Sequence, residues 1–533
     1  MAFRANTSQQ VSFFDSFSNL TQREQNALNN SWAKLFAEEV FPGIDEERFS
    51  VLYSDKASRP NTPVNVIIGA LVIKELFDLS DDEMVENLML DPRYQYALHT
   101  TSFNEQPLSD KTLSRFRRRC YDYETTHGVD IFHGVVKGLG EKTARLMGLN
   151  GRIRRMDSMM VESNIRRLSR MELLYTCIAS MARYLHKHGH DELLGGLEHY
   201  YDPDDYNRVI YHSREQDVLE RLTVLLKDAD SLLERCGSSY DDATEYQLLV
   251  RCLAEQTVVD GTARRLKTKE DGDMDSSILQ NPSDPDATFR SKAGENHRGY
   301  AANVEETVGP GGSAITEFAY DRNNQSDSQF LKDHLGKMGR QEDRVTLVTD
   351  GAYSGDDNRS LAEGKNVRLV STDMAGRESP DIHADFEFSE DGKRIAKCPA
   401  GHTPEKSSFN ASSGQCRASF RRECCAECPH KDQCKAEIHK RVSIVLLSKK
   451  SSDRAKLRRE MKTDEFRNLA RIRNGVETIP STLRSKYHVD KMPVRGLLPT
   501  KFFFGCKIAA LNFRKLFNYR KNRGHYAKNP VFA

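Results

Sequence analysis

Through the first 150 residues, apolar positions recur at helical spacing. Thr62 and Pro63 read as the N-cap and first-turn residue of "VNVIIGALVIKELF", and Ser80 with Glu83 as a capping box for "DEMVENLML". Ser109 is placed to cap "DKTLSRFRRRCYDY". At 151 the pattern changes to "GRIRRMDSMMVESNI", where Ile153, Met160 and Val161 sit in no helical stripe and predict a strand. Helical spacing returns over 168–257. Leu173, Leu174, Cys177, Ile178, Met181, Tyr184 and Leu185 form one stripe, and the positions from Val218 to Leu233 form another. After a polar linker over 268–288, "HRGYAANVEETV" and "AITEFAYDR" predict two strands joined by a "GPGGS" hairpin turn. An amphipathic helix, "SQFLKDHLGKM", then precedes a short buried strand in "DRVTLVTDGAYSG" that ends at Asp350. Further strands follow in "NVRLVSTDM" and "RVSIVLLSKK", and the chain then reads as helical and basic to about 522. Alternating strands and helices imply an α/β sheet with its site at strand ends.

Composition adds scale. The 533 residues, 38% hydrophobic and 29% charged, are too many for one core, since single cores stop growing near ~250–300 residues. No apolar run approaches the ~18 residues of a membrane span, and no basic-then-apolar leader opens the chain. A soluble, cytoplasmic and nucleoid-associated protein is therefore expected. Net charge is only +1, but it is unevenly spread: residues 451–528 hold twenty Lys and Arg against six Asp and Glu. Such a stretch reads as a polyanion-binding surface. Arg115, Arg117, Arg118 and Arg119 make an earlier helix basic. Short helices ending in a basic one fit a helix-turn-helix-like DNA-binding module, or equally a plain bundle with a solvated basic face.

Three acids stand out by position. Asp157 lies within the first predicted strand, Asp350 ends a buried strand beside a tight "DGAY" turn, and Glu477 lies in the basic helical region. Carboxylates converging from separate elements can hold two divalent cations ~3.5–4 Å apart for phosphoryl transfer, and hard oxygen donors favour Mg2+ or Mn2+. On one continuous helix Arg473, Glu477 and Arg484, spaced four and seven apart, would share a face, with Pro480 kinking the helix just beyond Glu477.

Of eleven cysteines, Cys120, Cys177, Cys236, Cys252 and Cys506 are scattered and read as buried apolar residues. The other six cluster between 398 and 434. Cys425-x-x-Cys428 followed by Cys434, with Cys398 upstream, has the spacing of a structural tetrahedral zinc site, with Cys416, Cys424 and His402 as spare candidates. The "HKHGH" histidines end a helical stripe, where imidazoles complement the helix dipole.

The chain resembles a DDE transposase of a bacterial insertion sequence. "RRMDSMMVESN" is similar to that family's first-Asp segment, "SDPDATFRSKAGENHRGY" to the stretch leading into its second strand, and "VTLVTDGAYSG" to its second-Asp segment. The family's Glu signature is a Tyr, two residues, an Arg, three residues, the Glu, six residues and a Lys. Here the same spacing reads Ala470, Arg473, Glu477 and Arg484, so Ala replaces the Tyr and Arg keeps the charge of the Lys. The family also carries a Cys-Pro-x-Gly and Cys-x-x-Cys-Pro pattern like that around Cys398, Cys425 and Cys428.

The resemblance covers roughly residues 45–520 and implies an α/β RNase H-like catalytic core preceded by an all-α DNA-binding domain. The expected organisation is a helical N-terminal domain over 1–150 and a DDE domain over 151–167 and 286–522. A helical insertion with linker occupies 168–285, a Cys-rich insertion 375–440, and a tail 523–533. The implied activity is metal-dependent cleavage and strand transfer of DNA bearing terminal inverted repeats, by a homodimer on paired ends. Asp157, Asp350 and Glu477 would hold two Mg2+ or Mn2+ ions and Cys398, Cys425, Cys428 and Cys434 a zinc. Arg473, Arg484, Arg115, Arg117 and Arg118 would meet DNA.

Overall fold

The computed structural model describes residues 1–6, 17, 20–54, 56, 59–103, 105–202, 204–210, 218–261, 263–272, 275–292, 294–372 and 379–522; the expected tail over 523–533 lies outside them. The chain divides into two compact units, Met1–Val345 with Val476–Ala533, and Thr346–Gly475.

In the first unit the helix Val64–Phe77 is buried at every position but the last, as its nearly unbroken apolar run requires. Its cap falls one residue later than expected. Pro63 stands at the N-cap and supplies no side-chain bond. The capping box on the helix Asp81–Leu90 forms as read, with Ser80 N donating to Glu83 Oε2 at 2.7 Å and Glu83 N to Ser80 Oγ at 3.2 Å. The helices Asp110–His127 and Ile131–Leu146 complete the N-terminal set. They close no core of their own. Their apolar residues share one cluster with sheet residues and with the long C-terminal helix Leu497–Lys521.

That last helix removes three cations from the basic C-terminal surface. From Thr500 to Leu516 most of its positions are buried, and three of its lysines turn inward, while Arg520 and Lys521 stay exposed. Lys507 pairs with Glu75 at 2.5 Å, Lys501 with Glu124 and with Asp130 at 3.0 Å, and Lys515 with Glu306. These charges are neutralised inside the fold and are not available to a polyanion.

The sheet of this unit is built from β1 (Ile153–Glu162), β2 (Thr288–Lys292), β3 (Glu295–Gly309) and β4 (Gly312–Arg322). β1, β2 and β4 all pair antiparallel with β3. The predicted glycine turn is the β3–β4 connection. Pairing shifts register between Glu305 and Glu306, and there the buried Asn512 side chain accepts from Ile315 N at 2.9 Å and donates to Ile315 O at 2.7 Å. Gly140 lets the helix Ile131–Leu146 close on this strand, since a Cβ at that position would stand 2.3 Å from Ile315 O.

Within 168–257 helical spacing gives the helices Arg170–Lys187, Val218–Cys236 and Thr244–Gln256, which pack around a core of their own. A small hairpin, Thr257–Asp260 with Ala263–Leu266, follows. The stretch read as a polar linker does more than link. Asp284 is fully buried and accepts from Tyr300 Oη at 2.6 Å, from Ser163 Oγ and from Gly496 N at 3.2 Å. Asp286 accepts from Leu497 N at 3.2 Å. Together they cap the C-terminal helix, whose N-cap residue, Gly496, has no side chain to do so.

The second unit begins within β5 (Val345–Thr349), at Thr346; β6 (Val367–Ser371) is adjacent to β5, with the helix Asp356–Gly364 between them in sequence. A four-stranded sheet follows, ordered Lys406–Asn410, Gln415–Arg421, Val442–Leu447, Glu437–Ile438. The helices Lys449–Met461 and Asp464–Asn474 close the unit, tied to β6 by Arg368, which pairs with Glu460 at 2.5 Å and Glu465 at 2.8 Å. Among the described residues no helix is long and apolar enough to cross a membrane.

Candidate active site

Asp157 stands in the middle of β1, opposite Val304 of β3, and is 9% exposed. Strand alternation puts it on the face shared by Met159 and Val161, which pack in the cluster containing Val476, Ile479 and Leu483. One carboxylate oxygen accepts from Ser158 N at 2.8 Å. Ser158 itself points to the other face, where its hydroxyl donates to Asp327 at 2.6 Å. Arg155, also buried, shares this face with Asp157.

The segment carrying Glu477 is not one helix. The helix Asp464–Asn474 gives way to a 3-10 turn over Gly475–Glu477, and a new helix runs over Thr478–Tyr487. Arg473, Glu477 and Arg484 therefore share no single α-helical face. Two residues account for the break. Gly475 is a weak helix former, and Pro480 cannot donate to the carbonyl four residues before it. Pro480 itself lies in the first turn of the new helix, where a missing N–H costs little, so it introduces no kink of its own.

Glu477 is exposed and the neighbouring Val476 is fully buried. The new helix is anchored along β1. Arg484 donates to Met160 O at 2.8 Å and pairs with Asp490 at 3.1 Å, and Asp490 accepts from Glu162 N at 2.9 Å.

In the second unit, Asp350 follows the fully buried Thr349 at the end of β5. It caps a 3-10 turn, Gly351–Tyr353, by accepting from Ala352 N at 2.9 Å, and the buried ring of Tyr353 fixes that turn. Arg473 Nη2 lies 3.8 Å from Asp350 Oδ2. The unit thus brings the second acid and the arginine of the Glu signature together, a pairing their separation of more than a hundred residues concealed. Ala470, where the signature has a tyrosine, is half-buried.

The predicted DNA-binding arginines divide. Arg115 and Arg118 are exposed. Arg117 is not available. Its guanidinium is largely buried, paired with both oxygens of Asp81 and stacked 5.1 Å over the Phe503 ring, so it fastens the N-terminal helices to the C-terminal one.

The five scattered cysteines are buried, as expected. Cys398, Cys425, Cys428 and Cys434 all line one small cavity of about 20 Å³, with Cys424 and His430. Cys416 is fully buried within its strand, its sulfur 3.6 Å from Gly392 O, and does not line that cavity; neither does His402. Burial, with the neighbouring thiols of Cys428, Cys398 and Cys425, pushes the Cys434 thiol up to about 11. Among the described residues no group of three or more His, Cys, Asp or Glu side chains is disposed to hold a metal ion as it stands.

Asp350, at the end of β5, thus stands beside Arg473 in an α/β framework. Two family models match the chain. Residues 22–119 match the family described as a transposase domain (DUF772), and residues 397–517 match the transposase DDE domain. The two matches, toward opposite ends of the chain, are consistent with an insertion-sequence DDE transposase. The DDE match spans the cysteine cluster, Arg473, Glu477 and Arg484, and begins beyond Asp157 and Asp350. No curated protein and no solved structure matches the chain.

Proposed function

We propose that the protein is a transposase that binds the terminal inverted repeats of an insertion sequence and cuts and joins DNA strands, with Asp157, Asp350 and Glu477 as its catalytic carboxylates. The observation that carries the reading is the Arg473–Asp350 contact at 3.8 Å, which sets two separate motif residues side by side. The first unit adds support. Counting back from Arg484 to Glu477 is about 10 Å along a helix, and from Met160 to Asp157 about 10 Å along a strand. The anchors of this helix on β1 therefore favour Glu477 lying level with Asp157. The antiparallel β4–β3–β1 arrangement, with Asp157 on the first strand, suits an RNase H-like core.

The donor set is three carboxylates, the hard oxygen ligands that Mg2+ or Mn2+ prefers. Two such ions, when bound, would acidify the attacking hydroxyl and neutralise charge on the leaving oxygen. The residues of the chain supply position. Asp157 is fixed by a ten-residue strand, and Asp350 by its bond from Ala352 N. Arg473, beside Asp350, and Arg484, paired with Asp490, would meet backbone phosphates near the cut. Water attacks in line at the element end to free a 3′-hydroxyl, and that hydroxyl then attacks target DNA. Arg115 and Arg118 would add backbone contacts. Two ends must be paired, which a homodimer would do.

Incubating the full chain with Mg2+ and DNA carrying the inverted repeats that flank its gene tests this. Joined donor–target products are expected. Cut ends without joined product would leave a nuclease, and uncut DNA would remove the enzymatic reading.

We also propose that Cys398, Cys425, Cys428 and Cys434 hold a structural zinc. Their thiolates are the donors zinc selects, and the cavity they line has room for about one ion or water. Metal analysis of protein purified without chelator should find one zinc per chain, and Cys425→Ser with Cys428→Ser should lose it. Metal-free wild-type protein with an unchanged melting temperature would overturn the assignment.

A further inference from the structure

We propose that the second unit holds a groove for the sugar–phosphate backbone of a DNA strand, just beyond the Asp350 turn; the proposal rests on the transposase reading. A cavity of about 500 Å³ opens there, within the ~300–1,000 Å³ range of ligand-sized clefts. Ser354 and Gly355, which leave the Asp350 turn, form one wall, and the first residues of the helix Lys449–Met461 form another.

Charge decides what the groove suits. Arg359, Lys393, Lys449, Lys450 and Arg454 line it. Two of its three carboxylates are already engaged: Asp453 by Lys449, and Asp391 by Ser389 Oγ at 2.6 Å and Lys393 N at 3.0 Å. Arg359, Lys393 and Lys450 make no ion pair among the described residues, so the groove offers three cations to an anionic ligand. Five cations from three elements around one cleft match a repeating phosphate chain better than a single small anion.

An aromatic ring completes the site. Phe409, on the strand Lys406–Asn410, is 39% exposed at this lining. A flat apolar ring among cations is the combination on which single-stranded bases stack. Gly392 and Gly414, both at positive φ, let the backbone turn without side chains that would narrow the groove. Substrate held here would enter the chemistry from the Asp350 side, which gives the second unit a DNA contact of its own.

The test is fluorescence anisotropy of the full chain, with a labelled mixed-sequence single strand and with the duplex made from it. Lys393→Glu combined with Lys450→Glu should weaken single-strand binding at low salt by about tenfold or more and reduce the log–log salt slope by roughly 1.4, about 0.7 per lost phosphate contact. Phe409→Ala should weaken single-strand binding by about tenfold and leave the duplex little changed. All three side chains are exposed, so melting curves should overlay the wild type. Unchanged affinity and slope in folded variants, alongside normal metal-dependent cleavage by the wild type, would overturn the groove alone. A wild-type chain that neither binds nor cuts DNA would overturn the transposase reading beneath it.

Discussion

Asp350→Asn leaves the protein folded and abolishes DNA cleavage. The folding half follows from geometry. Asparagine keeps the side-chain oxygen that accepts from Ala352 N, so the Gly351–Tyr353 turn retains its cap, and the buried Tyr353 ring still anchors it. The catalytic half follows from charge. Replacing a carboxylate metal ligand with an amide withdraws several kcal/mol of transition-state stabilisation, and about 4 kcal/mol corresponds to roughly 10³-fold in rate. The variant should therefore melt with the wild type and cut end-bearing DNA at least about 10³-fold more slowly. Cleavage at the wild-type rate would remove Asp350 from the chemistry. A lowered melting temperature would show instead that the Arg473–Asp350 contact serves stability.

The elements that sequence alone revealed are those whose causes are local. The capping box at Ser80 and Glu83 forms within one turn, and the glycine turn between β3 and β4 is written in five consecutive residues. Asp157 and Asp350 stood out by position, one within the first strand and the other at the end of a buried one, and the strands form where the sequence placed them. Pairings across long separations were concealed. Lys507 and Glu75 are 432 residues apart, and Arg117 reaches Asp81 from another helix, so their charges looked solvated when they are buried ion pairs. Charge counted along the chain overstates the basic surface wherever a cation finds its carboxylate at a distance. Asp284 was missed for the same reason. It sits in a polar stretch, yet its partners are Tyr300, Ser163 and Gly496 on three other elements. The break at Gly475–Glu477 could have been read from Gly475 and Pro480 together, but the regular spacing of Arg473, Glu477 and Arg484 argued for a continuous helix.

Glu306→Gln should be the most destabilising conservative change in the first unit. Glu306 is fully buried on β3 and answers three groups: Arg155 at 2.6 Å, Ser313 Oγ at 2.8 Å, and Lys515 from the C-terminal helix. Burial works to raise its pKa, but the Lys515 and Arg155 charges outweigh it and hold the carboxyl below its ordinary value. The amide fills the same space and leaves both cations without their counter-charge. Breaking a buried pair in this way costs about 3–5 kcal/mol. The pH dependence has a definite sign. A carboxyl with a depressed folded-state pKa contributes stability that is fully present above its unfolded value of about 4.3 and is lost as pH falls toward the folded value. The urea midpoint of the variant should therefore lie well below the wild type at pH 7, and the two should converge as the wild type loses this contribution below about pH 4. A gap that stays constant across that range would mean the charge on Glu306 is not what joins β3 to the C-terminal helix, and that packing alone holds them.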